Sequence, residues 1–148
     1  MIRQKLHIKE YDWVVHAYFY VSEYYTDEIM EQLWMLGCDV DTARKAYLNL
    51  SSGELDTGLC YSNYRHRESV VVIARTSSPA ELFNSIHHEL CHLQSHIANV
   101  YRLNPLGEEV AYLTGEIARE MFPKISHLLC ECCRKKDSYE KEEKRQDF

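Results

Sequence analysis

His87-His88-Glu89-Leu90-Cys91-His92 stands at the centre of a segment, Ser78 to Tyr101, whose residues predict one long helix. On a helix, His88 and His92 lie one turn apart on the same side, and Glu89 stands beside them. Two imidazoles at this spacing with an adjacent carboxylate are the residue types that bind zinc and activate a water molecule. The stretch therefore predicts a metal site on a helix, and the rest of the chain has to supply the scaffold and the remaining ligand.

The limits and the buried face of this helix are predicted from the same segment. Ser78, Pro79 and Glu81 form a helix start: a capping hydroxyl, a proline at the first helical position and a glutamate three residues after the cap. Asn104-Pro105 is expected to break the helix beyond Tyr101. One stripe is apolar and must meet the core: Leu82, Ile86, Leu90, Leu93 and Ile97. The two motif histidines fall on a different face, and the motif glutamate lies between that face and the stripe.

Strands and short helices precede the motif helix. A run rich in β-branched and aromatic residues from Lys5 to Val21 predicts an opening strand. Apolar residues at helical spacing predict helices over Asp27 to Leu36 and Asp41 to Leu50. Thr57 to Tyr64 and Glu68 to Arg75 predict a hairpin whose second strand is buried on both faces. This order predicts an α+β fold in which a small sheet leads directly into the motif helix.

The chain after the motif helix predicts further helices and a charged end. Gly107 to Phe122 has a helical pattern, Pro123 is expected to interrupt it, and Lys124 to Cys133 continues for another turn or two. Residues 134–148 include eleven charged side chains of mixed sign and are expected to be disordered. The length and the lack of a linker predict a single domain over residues 1–133.

The composition excludes several classes of function. The 23 acidic residues outnumber the 17 basic ones and no basic face is visible, so nucleic-acid binding is not expected. No apolar run approaches the ~20 residues needed to cross a bilayer, and Met1 to Trp13 is too polar for a signal-peptide core. We therefore expect a soluble, cytoplasmic protein with no membrane partner, in which the six cysteines are reduced.

A catalytic zinc site needs a third protein ligand, and the candidates are Glu108, Glu109, His96 and His127. Glu108 sits beside a ridge of small residues that would let another helix approach closely. It is favoured over Glu109, which lies on a solvated acidic stripe. His96 continues the i, i+4 series, but three successive turns of a straight helix do not converge easily on one tetrahedral ion. We expect His96 behind the ligands or in the core.

Cys130, Cys132 and Cys133, together with His127, offer a second set of soft ligands. Structural zinc sites usually use two spaced ligand pairs, and this crowded cluster supplies only part of that pattern. We therefore expect reduced thiols there rather than a second metal site. Cys91 has no visible base partner and is expected to be a bystander.

His88-Glu89-Leu90-Cys91-His92, followed after a proline break by Glu108-Glu109-Val110-Ala111-Tyr112, resembles the minimal zincin metallopeptidase pattern of the gluzincin type. The resemblance covers Thr57 to Phe122 and extends to small zincin-like proteins, often carried by phages and mobile elements, whose substrates are not established. It implies a small twisted sheet, the HExxH helix, a following glutamate helix, and Zn²⁺ held by both histidines and a glutamate. Tyr112 departs from the pattern, because gluzincins often have an acidic residue there.

The resemblance also implies a function. With zinc bound by His88, His92 and Glu108, or Glu109 as the alternative, Glu89 would take a proton from the attacking water and pass it to the leaving amine. The chain is thus expected to be a zinc-dependent metallopeptidase acting on a protein or peptide. The donor to the developing oxyanion is left open among Tyr112, Tyr101 and His127. The alternative is a non-catalytic module that keeps the zincin-like fold and binds metal or another protein.

Overall fold

The computed structural model describes residues 1–133, and its centre is a four-stranded mixed sheet. The strands are β1 (Ile2–Ile8), β2 (Trp13–Val21), β3 (Gly58–Asn63) and β4 (Glu68–Ala74). Their spatial order is β1-β2-β4-β3, with antiparallel pairs at both ends and a parallel pair, β2 with β4, in the middle. β3 is therefore an edge strand, and β4 lies inside the sheet.

Helices cover both faces of this sheet: α1 (Thr26–Met35), α2 (Val40–Ser52), α3 (Pro79–Tyr101) and α4 (Glu108–Ile125). Residues of α3 and α4 form one core with the sheet, and residues of α1 and α2 form a second core on the opposite face. Val71 and Ile73 of β4 belong to the first core, whereas Val70 and Val72 belong to the second. The predicted burial of this strand on both faces is confirmed, and it explains the unbroken apolar run.

The α+β class and the hairpin before the motif helix are confirmed, but two details of the prediction are wrong. The opening strand is in fact two antiparallel strands, because the chain turns at a 3₁₀ segment, Lys9–Tyr11, and at Asp12, whose φ is 46°. Aspartate tolerates this left-handed conformation better than most residues. Pro123 does not end α4, which continues to Ile125. So close to the end of a helix, a proline removes one backbone hydrogen bond without breaking a long continuation.

The fold does not test several of the expectations drawn from the sequence, and these stay predictions. The charged segment 134–148, expected to be disordered, lies outside the described residues. Within residues 1–133, no helix is both long and apolar enough to cross a membrane. The zincin-like character also stays a prediction, because an order of strands and helices does not by itself specify a function.

Candidate metal site on helix α3

Helix α3 begins and ends close to where its sequence predicts. Ser78 accepts a hydrogen bond from the backbone N–H of Glu81 (3.2 Å), and Pro79 occupies the first turn. The Glu81 carboxylate accepts hydrogen bonds from the backbone N–H and the hydroxyl of Ser77. Arg102, with a φ of 53°, caps the C-terminal end. The whole predicted stripe is buried, which fixes the rotation of α3 against the sheet: Leu82, Ile86, Leu90, Leu93 and Ile97.

His88 and His92 lie side by side on an exposed flank of α3. Their Nε2 atoms are 3.2 Å apart, and their ring centroids are 4.9 Å apart. Two histidine ligands of a tetrahedral zinc ion, at Zn–N distances of ~2.0–2.1 Å, have their nitrogen atoms about 3.3–3.4 Å apart. The two imidazoles are therefore spaced as a shared ion requires. The same distance also allows an N–H···N hydrogen bond between neutral rings.

Glu89 is buried beside this pair, with 2% of its surface exposed. Its Oε1 accepts a hydrogen bond of 2.8 Å from the Thr57 hydroxyl. Gly58 allows this close approach, because a Cβ there would lie 1.9 Å from the carbonyl oxygen of Val72 and 3.0 Å from Cγ of Glu89. Within residues 1–133, the Thr57 hydroxyl is the one hydrogen-bond donor to this carboxylate. The carboxylate is held at one oxygen, and the other forms no hydrogen bond with residues 1–133.

His96 lies one turn beyond His92 and ends a chain of buried hydrogen bonds. Trp13 Nε1 donates to Ser69 Oγ (2.8 Å), Ser69 Oγ lies 2.7 Å from Ser62 Oγ, and Ser62 Oγ lies 2.7 Å from Nδ1 of His96. An indole N–H can only donate and Ser69 is fully buried, so we assign each serine as donor to the next group. Nδ1 of His96 then accepts, and its proton sits on Nε2. Burial, followed by the charge of His92, lowers the pKa of His96 and favours this neutral ring.

Helix α4 packs against a different flank of α3 from the one that carries the histidine pair. Its small residues line a groove between the two helices: Ala111, Gly115 and Ala118. On α3 the groove is lined by His87, Cys91 and Gln94, among others. These three positions lie roughly 80–140° around the helix axis from the edge that carries His88 and His92.

Glu108 is also displaced from the pair along the helix axis. The Thr114 hydroxyl donates to the Gln94 side chain, which sets the register of the antiparallel helices. Glu108 and His92 lie on opposite sides of that level, and the helical rise separates them by roughly 12 Å along the axis. Glu108 and Glu109 are exposed, and within residues 1–133 neither forms a close three-ligand group with the pair. The third-ligand role of either glutamate stays a prediction, and it requires the start of α4 to move.

The predicted oxyanion donors have different surroundings. The Tyr101 hydroxyl donates to the backbone carbonyl of Tyr11, so its proton is engaged. Tyr112 is 71% exposed on α4. His127 is partly buried in the 3₁₀ segment Ser126–Leu129 that follows α4. Their catalytic roles stay predictions.

Polar residues of the sheet contribute to the site and were missed by the sequence analysis. Thr57 holds Glu89, whereas Ser62 and Ser69 connect His96 to the core. The available signal was Ser69, a hydroxyl directly before the apolar run of β4, because a buried hydroxyl needs partners. Thr57 and Ser62 carry no such signal, since Glu89 and His96, which they contact, are more than 30 residues away.

The cysteines near the end of the described chain form a second cluster. Cys130, Cys132 and Cys133 are the one group of three close metal-binding side chains within residues 1–133, with their sulfur atoms within 4.8 Å of one another. This group could hold a metal ion. The sequence did not predict a metal site here, because the three cysteines stand close together in the chain rather than in two spaced pairs. In the structure, this close spacing brings their sulfur atoms together.

Fold and site together define an α+β protein that carries an exposed histidine pair and a buried glutamate on one helix. No protein-family model, no curated protein and no solved structure matches the chain. The resemblance to gluzincins therefore rests on the motif residues, and the activity that it implies is a proposal.

Proposed function

We propose that the chain is a zinc-dependent hydrolase of the zincin type that cleaves peptide bonds. His88 and His92 bind the ion, and Glu89 is the general base. The observation that carries the proposal is the 3.2 Å separation of the two Nε2 atoms, which is close to the spacing of about 3.3–3.4 Å between two histidine ligands of one zinc ion. The pair is exposed, so an ion and a substrate can reach it from solvent.

The chemistry divides between the ion and Glu89. Bound zinc supplies Lewis-acid activation of a water molecule. Thr57 holds Oε1 of Glu89, which gives the carboxylate one orientation and leaves the second oxygen to accept a proton. Glu89 then delivers that proton to the leaving amine. Only 2% of the Glu89 surface is exposed, so bulk water does not form hydrogen bonds along most of this side chain in place of its protein contacts.

The edge strand β3 favours a peptide as the substrate. Within residues 1–133 it pairs with β4 alone, so its outer edge presents backbone groups without a partner strand. An extended peptide can add to such an edge as a further strand. Thr57 at the start of β3 contacts Glu89, and Ser62 within it contacts His96, so this edge runs along the histidine flank of α3. A peptide added there would lie beside the proposed ion.

The third ligand of the ion would come from one of three residues. The gluzincin resemblance implies a glutamate on the following helix, and the residue pattern of that helix favours Glu108 over Glu109. His96 could serve only if Nε2 lost its proton and Nδ1 became a donor to Ser62, which is the pattern usual for metal-bound histidines. We expect that replacing one of Glu108, Glu109 and His96 by Gln lowers the zinc affinity by more than about tenfold. Replacing either of the other two should leave the zinc affinity nearly unchanged.

Metal content tests the histidine site. In a Cys130→Ser, Cys132→Ser background, untagged protein purified without chelators is expected to contain one equivalent of zinc. Adding His92→Ala should remove it, whereas His66→Ala, in the exposed turn between β3 and β4, should not. Equal zinc in the two histidine variants would contradict the proposal.

Cleavage tests the role of Glu89. In the same background, Glu89→Gln is expected to keep its zinc and to lose hydrolysis of an unfolded protein substrate. Zinc retention separates a catalytic role from a structural one, since a misfolded variant would lose both. Undiminished cleavage by Glu89→Gln would rule out this carboxylate as the base.

A non-catalytic interaction module is the second candidate function. The observation that favours it is a set of exposed apolar side chains on α1 and α2, on the sheet face opposite α3: Trp34, Met35, Val40, Tyr47 and Leu48. For such a module Glu89→Gln would change no function, whereas Trp34→Ala would weaken binding to a partner. The metallopeptidase predicts the reverse pattern.

A further inference from the structure

Three cysteines lie directly after the 3₁₀ segment Ser126–Leu129, which is anchored in the core through Leu128. The sulfur atoms of Cys130, Cys132 and Cys133 all lie within 4.8 Å of one another, and no His, Asp or Glu of residues 1–133 joins the group. The Sγ atoms of Cys130 and Cys132 are 2.9 Å apart. All three are free thiols and at least partly exposed, so a solvated ion can reach them.

We infer that Cys130, Cys132 and Cys133 bind one thiophilic ion of the Zn²⁺ class as thiolates, in a site separate from the histidine pair. Sulfur donors without a carboxylate or carbonyl partner select such ions over Mg²⁺ and Ca²⁺. Two thiolates on a tetrahedral zinc ion lie about 3.8 Å apart, given a Zn–S distance of ~2.3 Å. Cys130 and Cys132 would have to separate by roughly 0.9 Å, which exposed side chains can do by rotation. The fourth position is left to water or an added ligand.

The surroundings of Cys130 favour its ionised form. The Cys132 thiol, and then the backbone and thiol of Cys133, form hydrogen bonds with the Cys130 sulfur and lower the pKa of Cys130 to about 7. Interaction with Cys130 raises the pKa of Cys132. A second thiolate is therefore costly next to the first unless a cation compensates for it. Metal binding supplies that cation and releases the remaining thiol protons.

Cobalt(II) added to full-length, metal-free protein under reducing, oxygen-free conditions tests the site. Thiolate ligands give sulfur-to-cobalt charge-transfer absorption, which histidine and carboxylate ligands do not give. We expect this absorption in the wild type and in Cys91→Ser, the matched control, because Cys91 is exposed on α3 outside the cluster. It should weaken in each single substitution of the cluster to Ser and disappear in the triple variant.

Metal binding at the histidine pair and at the cysteine cluster can be measured separately. His88→Ala, His92→Ala is expected to lose histidine-bound metal and to keep the thiolate absorption, so failure of one site is distinguishable from failure of the other. The single variants keep the test valid if circular dichroism shows that the triple variant is unfolded. Wild-type protein with titratable thiols but no charge-transfer absorption would overturn the inference, and so would absorption that persists in the folded triple variant.

Discussion

The Thr57 hydroxyl donates a 2.8 Å hydrogen bond to Oε1 of Glu89, and this contact joins the start of the edge strand β3 to the motif helix α3. It fixes the orientation of a carboxylate that is almost completely buried. The contact therefore has two consequences that can be measured separately, one for stability and one for the proposed catalysis.

Thr57→Val removes this hydrogen bond and nearly conserves the side-chain volume. We expect the free energy of unfolding to fall by about 1.5–3 kcal/mol, because a buried charged acceptor loses a donor. Thr57→Ser keeps the hydroxyl and should cost less. Urea denaturation of both variants at neutral pH measures the difference. If Thr57→Val were as stable as Thr57→Ser, the hydrogen bond would make no net contribution.

Gly58→Ala should be strongly destabilising, because its Cβ would lie 1.9 Å from the Val72 carbonyl oxygen and 3.0 Å from Cγ of Glu89. Neither the neighbouring strand nor α3 can yield without losing packing, and we expect a loss of about 2–3 kcal/mol or more.

Gly115→Ala is the matched control for Gly58→Ala, since its added Cβ would have no atom within 4 Å apart from the neighbouring backbone of its own helix. It should stabilise α4 by about 0.5–1 kcal/mol through helix propensity. Thermal unfolding of the two alanine variants should give opposite shifts. A tolerated alanine at position 58 would show that the edge strand can move away from α3.

Ser69→Ala tests the buried hydrogen-bond chain. Trp13 and Ser69 are both buried, so the substitution leaves the indole N–H of Trp13 without an acceptor. We expect the free energy of unfolding to fall by about 1–3 kcal/mol. Ser95→Ala, on the exposed surface of α3, should have almost no effect. Chemical denaturation compares the two, and equal stability would mean that another group or a water satisfies Trp13.

His96 should make stability depend on pH. Burial and the neighbouring His92 lower the pKa of His96 in the folded state below its usual value of 6.5. The unfolded chain therefore binds more protons between the two pKa values, and stability falls as the pH drops from about 6.5 towards the folded-state pKa.

The variant His96→Gln should show a shallower loss of stability on acidification than the wild type. Unfolding curves recorded from about pH 8 to pH 5 with a chelator present would measure it. His66→Gln, at an exposed turn, is the control and should follow the wild type. Parallel curves for His96→Gln and the wild type would show that another group causes the dependence.

The limits of α3 and its buried face could be predicted from local sequence alone. Ser78 and Pro79 start it, the break expected at Asn104-Pro105 agrees with its end at Tyr101, and the buried stripe follows from helical geometry. The same geometry places His88 and His92 together and away from the core, because residues four apart on a helix share a face. These properties depend on neighbours in sequence.

What lies around α3 was decided by the tertiary structure. Periodicity gives the buried direction of a helix but not which flank a second helix occupies, so the displacement of Glu108 from the histidine pair could not be anticipated. The contacts of Glu89 with Thr57 and of His96 with Ser62 join residues 32 and 34 positions apart, and they exist only because β3 is the edge strand beside α3. By itself the sequence determined a capped helix with two histidines one turn apart. The packing of the sheet decided that the glutamate between them is buried and held at one oxygen by Thr57, because burial and hydrogen bonding depend on every element that meets at the site.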